Sequence, residues 1–273
     1  MIPALSQVCT LNAPLVRDVE DFAAGHCRAI ELWMTKLETY LESHSADDFR
    51  RLLAEQDVTA PVASFQGGLL DSQGEARRQH WDHFQRRLAL CRELEIVTLV
   101  VAADVAGPLS QPDLDRVAAS LAEAAGRAGQ HGVRLALEPQ ARSAFCNNLQ
   151  TAAALVAQTA SPQLGICLDA MHYYTGPSKP EDLRHLTADN LFHVQLCDLA
   201  GTPRELATDS DRVLPGDGDF DLAHLVEHLR RIEYAGCVSV ELMNPRMFPI
   251  PPRQFGEIAI TALRRVLGLA EMG

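Results

Sequence analysis

Strand-like and helix-like segments alternate along the whole chain, and this alternation restricts the fold more than any other feature. Eight apolar runs are each followed by a helical pattern, which gives about 34 residues per unit over 273 residues. The run IVTLVVA at 96–102 is continuous and β-branched, as expected of a parallel strand that is buried on both faces. Eight such units predict an α/β protein with a (β/α)8 barrel, the TIM-barrel fold.

The element boundaries follow from the apolar periods and the turn residues. The predicted strands cover residues 8–11, 29–33, 58–65, 96–102, 133–138, 164–168, 191–197 and 237–242. The predicted helices cover 16–25, 45–56, 75–93, 111–132, 148–159, 181–186, 222–232 and 255–269. Ser45 is predicted to cap the second helix, because a serine followed by acidic residues is typical of a helix start. No linker divides the chain, so we expect one domain over residues 1–273.

Composition disfavours several classes of partner and predicts the state of the cysteines. The net charge of -12 disfavours binding to a nucleic-acid backbone or an anionic membrane. No apolar run reaches the roughly 20 residues of a membrane helix, and the N-terminal segment lacks the basic and apolar regions of a secretory leader. Seven cysteines without a CxxC pair are expected to be buried thiols in a reducing cytoplasm.

Four oxygen-bearing side chains stand at the ends of four successive late strands: Glu138, Asp169, Gln195 and Glu241. In a barrel these ends meet at the C-terminal mouth, where active sites lie. Three converging carboxylates repel one another unless a cation lies between them. Carboxylate and amide oxygens suit a divalent ion such as Mg or Mn, with Zn and Co as alternatives. The sequence therefore predicts one divalent metal ion at this mouth.

Four further residues are candidates for the same site, each with a structural alternative. His172 follows the sixth strand and is interpreted as a contact for a substrate hydroxyl, or as a loop histidine bonded to backbone. His193 lies two residues before Gln195 on the same strand face and either orients it or is an ordinary interior histidine. Asp198 is a candidate substrate-binding residue, or it holds a loop or Arg212. Trp33 forms an apolar wall for the substrate, or simply packs.

Several motifs resemble a known superfamily. The segments LALEP, CLDAMH, HVQLCD and SVELMNP are similar to the metal-bearing strand ends of the xylose isomerase-like sugar-phosphate isomerase/epimerase superfamily. Within it, TDSDRVLPGDGDFDL and MTKLETYLESHSADDF resemble the inosose isomerases. The resemblance implies that the four strand-end residues are metal ligands and that Arg212 binds substrate; an ion pair of Arg212 with Asp209 or Asp211 is the alternative. Inosose isomerases carry His where this chain has Gln195, whereas hydroxypyruvate isomerases have a similar HVQ.

Such a site suggests proton transfer beside a carbonyl. A metal-bound hydroxy-carbonyl substrate has an acidified C–H, and the reaction passes through an enediolate. The resemblance gives Glu138 and Glu241 the roles of acid and base as well as ligand. We therefore expect an isomerase or epimerase acting on a sugar or keto-polyol. Barrels of this type often pair into homo-oligomers, although the sequence carries no interface signature.

Three other functions remain open at this point. A lyase resembling 3-dehydroshikimate dehydratase would begin with the same proton abstraction and then expel a leaving group. An abasic-site endonuclease shares the superfamily, but the negative charge and the shortage of His at strand ends disfavour it. A non-catalytic binding protein would have no need of both Glu138 and Glu241.

Overall fold

Eight strands form a closed barrel in the order β1-β10-β7-β6-β5-β4-β3-β2, in a computed structural model that describes residues 1–269. The predicted (β/α)8 barrel is thereby confirmed. The barrel strands are β1 Ile2–Ser6, β2 Ala29–Trp33, β3 Thr59–Gln66, β4 Thr98–Ala102, β5 Arg134–Glu138, β6 Leu164–Asp169, β7 Leu191–Leu196 and β10 Cys237–Val240. Two short strands, β8 Asp198–Leu199 and β9 Arg212–Val213, form a separate antiparallel ladder.

Helices follow the strands in the alternating order that the sequence predicts. They are α1 Leu15–Ala24, α2 Met34–Leu41, α3 Ala46–Glu55, α4 Gly74–Glu93, α5 Gln111–Gln130, α6 Leu149–Thr159, α7 Ala170–Thr175, α8 Leu222–Arg231 and α9 Pro252–Leu267. Short 3-10 helices cover Gln7–Thr10, Pro180–His185 and Asp209–Asp211. Within residues 1–269, every helix is too short or too polar to span a bilayer.

The structure differs from the predicted elements at the first strand, in the type of one helix and at two additional short helices. The first strand is not 8–11 but Ile2–Ser6, and the segment after it is a 3-10 turn. Proline is rare inside sheets, yet Pro3 pairs in parallel with Val238. The short helix predicted at 181–186 is present as the 3-10 helix Pro180–His185. The short helices α2 and α7 were not predicted, because each follows its strand without a linking turn.

The chain divides into two compact units, Met1–Ala63 with Val194–Gly273 and Ser64–His193. In the first unit, β1 pairs in parallel with β2 and with β10, and β10 pairs with β7. This register places Gln195 beside Ser239 and Glu31 beside Ser6, so polar residues lie at the same level of adjacent strands. In the second unit, β4, β5 and β6 pair in parallel.

The predicted cap and the predicted thiols are both confirmed. The Ser45 hydroxyl accepts a hydrogen bond from the Asp48 backbone N–H at 3.1 Å, and the Asp48 carboxylate accepts one from the Ser45 N–H at 2.9 Å. This reciprocal pair is a capping box that begins α3. All seven cysteines are free and buried.

Candidate functional site

A cluster of polar side chains is buried within β2 and near the ends of β7 and β10 in the first unit. Gln195 on β7 donates from its amide nitrogen to Glu31 Oε1 at 2.8 Å and to Glu241 Oε1 at 2.8 Å. The three side chains are 0–6% exposed. We call Glu31, Gln195, Glu241 and Arg212 the glutamate cluster. Two carboxylates thus share one amide inside the protein, where an unpaired charge is costly.

Arg212 completes the glutamate cluster from β9. Its Nη1 donates to Glu241 Oε2 at 3.0 Å, and its Nε donates to Asp209 Oδ1 at 2.9 Å. The side chain is 1% exposed, and Asn244 donates to its backbone carbonyl at 2.9 Å. An ion pair with Asp209 was the alternative role predicted for Arg212 from the sequence, and this ion pair is present. The guanidinium is nevertheless buried and also contacts Glu241.

Asp198 holds the loop that carries Arg212. Its carboxylate accepts hydrogen bonds from the backbone N–H groups of Leu199, Gly216 and Phe220, at 2.9, 3.1 and 2.9 Å. These contacts favour the loop-holding alternative. Substrate binding by Asp198 stays a prediction.

Cys9 lies next to the glutamate cluster. Its thiol donates to the Val240 carbonyl at 3.4 Å and accepts from the Leu242 N–H at 3.2 Å. Burial raises the pKa of Cys9 far above its usual range, and the charges of Glu241 and Glu31 raise it further against the lowering effect of the Leu242 bond. The thiol is therefore protonated at neutral pH and is unsuited to ligating a metal or attacking a substrate.

The second unit carries Glu138 and Asp169 at the ends of β5 and β6. Glu138 Oε2 accepts from the Gln140 amide at 2.6 Å, and His172 Nε2 lies 3.8 Å from Glu138 Oε1. Asp169 Oδ1 accepts from the His172 backbone N–H at 2.8 Å and so caps α7. The short helix α7 thus turns the His172 side chain towards Glu138.

Three of the four predicted ligands form one acidic group. Glu138, Asp169 and Glu241 are all buried, and each offers a carboxylate oxygen within 4.8 Å of the others. A group of this kind could hold a metal ion, because one divalent cation can offset the repulsion among three carboxylates.

A second buried cluster in the first unit was not predicted. Lys36 Nζ donates to Asp18 Oδ2 at 2.6 Å, and the other Asp18 oxygen accepts from the Thr10 hydroxyl at 2.7 Å. Gln7 donates to Asp18 at 3.2 Å. We call these four residues the lysine cluster. Burial raises the pKa of Asp18 to about 6 against the opposing charge of Lys36, and burial lowers the pKa of Lys36.

The remaining predicted residues are placed as follows. Trp33 ends β2 and is half-buried. It lines a cavity of about 550 Å³ together with Lys36 and Tyr40, and its role as an apolar wall for the substrate stays a prediction. His193 is fully buried on β7. Glu31 was missed because it lies inside the strand AIELW, whereas the candidates were sought at strand ends; an acid within an apolar strand was the signal that could have found it.

Comparison with known proteins gives one family over most of the chain. The family described as "Xylose isomerase-like TIM barrel" matches residues 21–265. An inosose isomerase of Halalkalibacterium halodurans is 27% identical over 90% of this chain and 89% of its own length. A 3-dehydroshikimate dehydratase of Pseudomonas aeruginosa is 28% identical over 96% of this chain, which spans only 41% of that protein.

A solved structure described as "IOLI protein with a binding zinc atom" has the same fold. It superposes with a TM-score of 0.92 at 23% identity, and each chain covers 100% of the other. This agreement shows the fold, and the family model covers residues 21–265. The protein belongs to the xylose isomerase-like TIM-barrel family.

Proposed function

We propose that this protein is a divalent-metal-dependent isomerase or epimerase acting on a sugar or keto-polyol, of the inosose isomerase type. The observation that carries the proposal is the group of three buried carboxylates, Glu138, Asp169 and Glu241, with Gln195 bonded to the third. Carboxylates are seldom buried together unless a positive charge offsets them.

The residues fit a single metal ion of oxygen-binding character. Glu138, Asp169 and Glu241 would supply carboxylate oxygens, and Gln195 would supply its amide oxygen. This donor set suits Mg or Mn, and Zn or Co as borderline ions. When bound, the ion would polarise the substrate carbonyl and acidify the neighbouring C–H.

The chain's own groups would then move the proton. We assign Glu138 and Glu241 as the acid–base pair, because a carboxylate at each strand end can take a proton from one carbon and return it to the next. His172, 3.8 Å from Glu138, would contact a substrate hydroxyl beside it. Arg212 holds Glu241 at 3.0 Å and would orient this carboxylate as well as bind substrate.

The relatives support this reaction class. The inosose isomerase is similar over nearly its whole length, and the zinc-containing structure shares the fold. The glutamine at 195 keeps hydroxypyruvate isomerase-like activity in the candidate set, because that family carries a similar HVQ. We propose a small-molecule substrate, a cytoplasmic location and no nucleic-acid or membrane partner. We also propose that the chain can form a homo-oligomer, which a measurement of its mass in solution tests.

A lyase is the second candidate, favoured by the 28% identity to a 3-dehydroshikimate dehydratase. Isomerase and lyase share the proton abstraction and differ in whether a hydroxyl leaves. NMR of the products in heavy water separates them. An isomerase incorporates deuterium at the carbon that receives the proton, whereas a dehydratase yields a new double bond.

The test is a panel of inososes, ketoses, hydroxypyruvate and 3-dehydroshikimate, assayed with Mn, Mg, Co and Zn. We expect turnover of one hydroxy-carbonyl substrate that requires added metal. Turnover that persists with chelator, or activity on abasic DNA instead, would overturn the proposal.

A further inference from the structure

Glu31 is a buried carboxylate to which the proposed reaction gives no role. It lies on β2, is 0% exposed, and accepts hydrogen bonds from the Gln195 amide at 2.8 Å and from the Ser239 hydroxyl. The parallel pairing of β1 with β2 sets Glu31 opposite Ser6, and the pairing of β10 with β7 sets Ser239 opposite Gln195. Its position is therefore fixed by the barrel backbone rather than by a loop.

The two ends of the Gln195 amide are chemically different, and only one can ligate a cation. The carbonyl oxygen has lone pairs, whereas the NH2 group is a donor alone. Two carboxylate oxygens, from Glu31 and Glu241, lie 2.8 Å from the same amide nitrogen. A carboxylate accepts and does not donate, so the end that faces both of them must be the NH2 group.

One carboxylate would not be enough to fix this orientation. Glu241 is itself a proposed metal ligand, and it accepts a hydrogen bond from Arg212. Its carboxylate therefore has two other interactions besides the hydrogen bond with Gln195. Glu31 makes the same contact from a different strand, and Ser239 holds it in place. Reversing the amide would put its oxygen against two carboxylates in a buried site, which is strongly unfavourable.

We infer that Glu31 is a positioning residue that fixes the orientation of the Gln195 amide, so that the amide oxygen is the end left to ligate the proposed metal ion. The inference rests on the proposed function, because it presupposes that Gln195 is a ligand. It corresponds to the general rule that a carboxylate behind a metal ligand sets the ligand's orientation and raises its affinity for the ion. It also accounts for a buried acid on a strand that carries none of the proposed ligands.

A double-mutant cycle on metal affinity tests the inference. Binding of Mn²⁺ alone is measured by titration calorimetry for the wild type, Glu31→Gln, Gln195→Ala and the double variant. We expect Glu31→Gln to weaken Mn²⁺ binding by about 10-fold or more, as is typical when the partner behind a ligand is removed. In the Gln195→Ala background we expect the same change to have less than about a twofold effect, because Glu31 acts through Gln195.

Two controls keep the result interpretable. Glu55→Gln makes the same chemical change at an exposed position of α3 and should leave Mn²⁺ binding unchanged. Thermal melting of the metal-free proteins checks that they fold. If Glu31→Gln does not fold, Glu31→Asp is used in the same cycle, since it keeps the charge and withdraws the carboxylate from Gln195.

The outcomes separate this inference from the proposed function. An equal loss of Mn²⁺ affinity in both backgrounds would overturn the role of Glu31 while leaving the metal site standing. A wild type that binds no divalent ion would overturn both. A loss confined to the background that contains Gln195 supports the inference.

Discussion

The first unit contains two buried clusters of charged side chains, and they are balanced differently. In the lysine cluster, the single carboxylate of Asp18 meets the single ammonium of Lys36 at 2.6 Å, and Thr10 and Gln7 satisfy its remaining lone pairs. In the glutamate cluster, two carboxylates share one amide and one guanidinium. A buried cluster with equal numbers of positive and negative charges needs no further counter-ion. A cluster in which carboxylates outnumber basic groups is suited to bind a cation.

Neutralising an acid of the proposed centre should have the largest effect. Glu241→Gln and Glu138→Gln are each expected to lower kcat/KM by about 10³-fold, the scale of a lost acid–base group, which corresponds to about 4 kcal/mol. Steady-state assays on the substrate found in the panel measure this loss, with Glu55→Gln as the matched control. Full turnover by either variant would remove that residue from the proposed proton transfer.

Breaking the balanced pair should instead cost stability. Asp18→Asn leaves the Lys36 ammonium buried without its counter-ion, and we expect a loss of about 3 kcal/mol in the free energy of unfolding. Urea denaturation measures it. The double change Asp18→Leu with Lys36→Met removes both charges and should recover most of that loss. If the double variant is no more stable than Asp18→Asn, the lysine cluster is not a simple charge pair.

Adding metal should distinguish the clusters directly. At a free Mn²⁺ concentration about 100 times its Kd, binding to the folded state alone stabilises by about 2.7 kcal/mol. Thermal melting with and without Mn²⁺ shows this as a rise in Tm. The rise should persist in the Asp18→Leu, Lys36→Met variant and should shrink in Glu241→Gln; the reverse pattern would place the ion in the lysine cluster.

The capping box of α3 gives the smallest expected effects. Ser45→Ala removes the cap of α3 and should lower the free energy of unfolding by about 1 kcal/mol.

Hydrogen bonds from the Ser45 side chain and backbone lower the pKa of Asp48 from 3.8 to about 2. Because the folded pKa is the lower one, the contribution of Asp48 is present above pH 3.8 and is lost as the pH falls towards 2. The difference in Tm between wild type and Asp48→Ala should therefore narrow over that window.

Much of this arrangement could be predicted from the sequence, because its signals are local. An acid at the end of an apolar run marks Glu138 and Asp169 without any knowledge of their neighbours, and the alternation of strands and helices gives the barrel. The same local logic failed at the first strand, where a proline that normally opposes a strand is accommodated by β1.

What could not be predicted depends on pairs that are distant in sequence. Glu31 is bonded to a residue 164 positions away, so its role appears only when β2 and β7 are placed in space. Arg212 lies in a polar stretch that gives no sign of burial, yet the ladder of β8 and β9 carries it into the protein. Local pattern identifies candidate groups, and long-range contacts decide which of them act together.

The three backbone bonds of the Asp198 carboxylate carry an implication for how the protein can change over evolutionary time. They join residue 199 to residues 216 and 220, on the two sides of the largely exposed segment 200–206. Insertions, deletions or swapped residues in that outer segment would leave Arg212 where it is. Lineages could therefore remodel this rim freely and retain the charged groups beneath it.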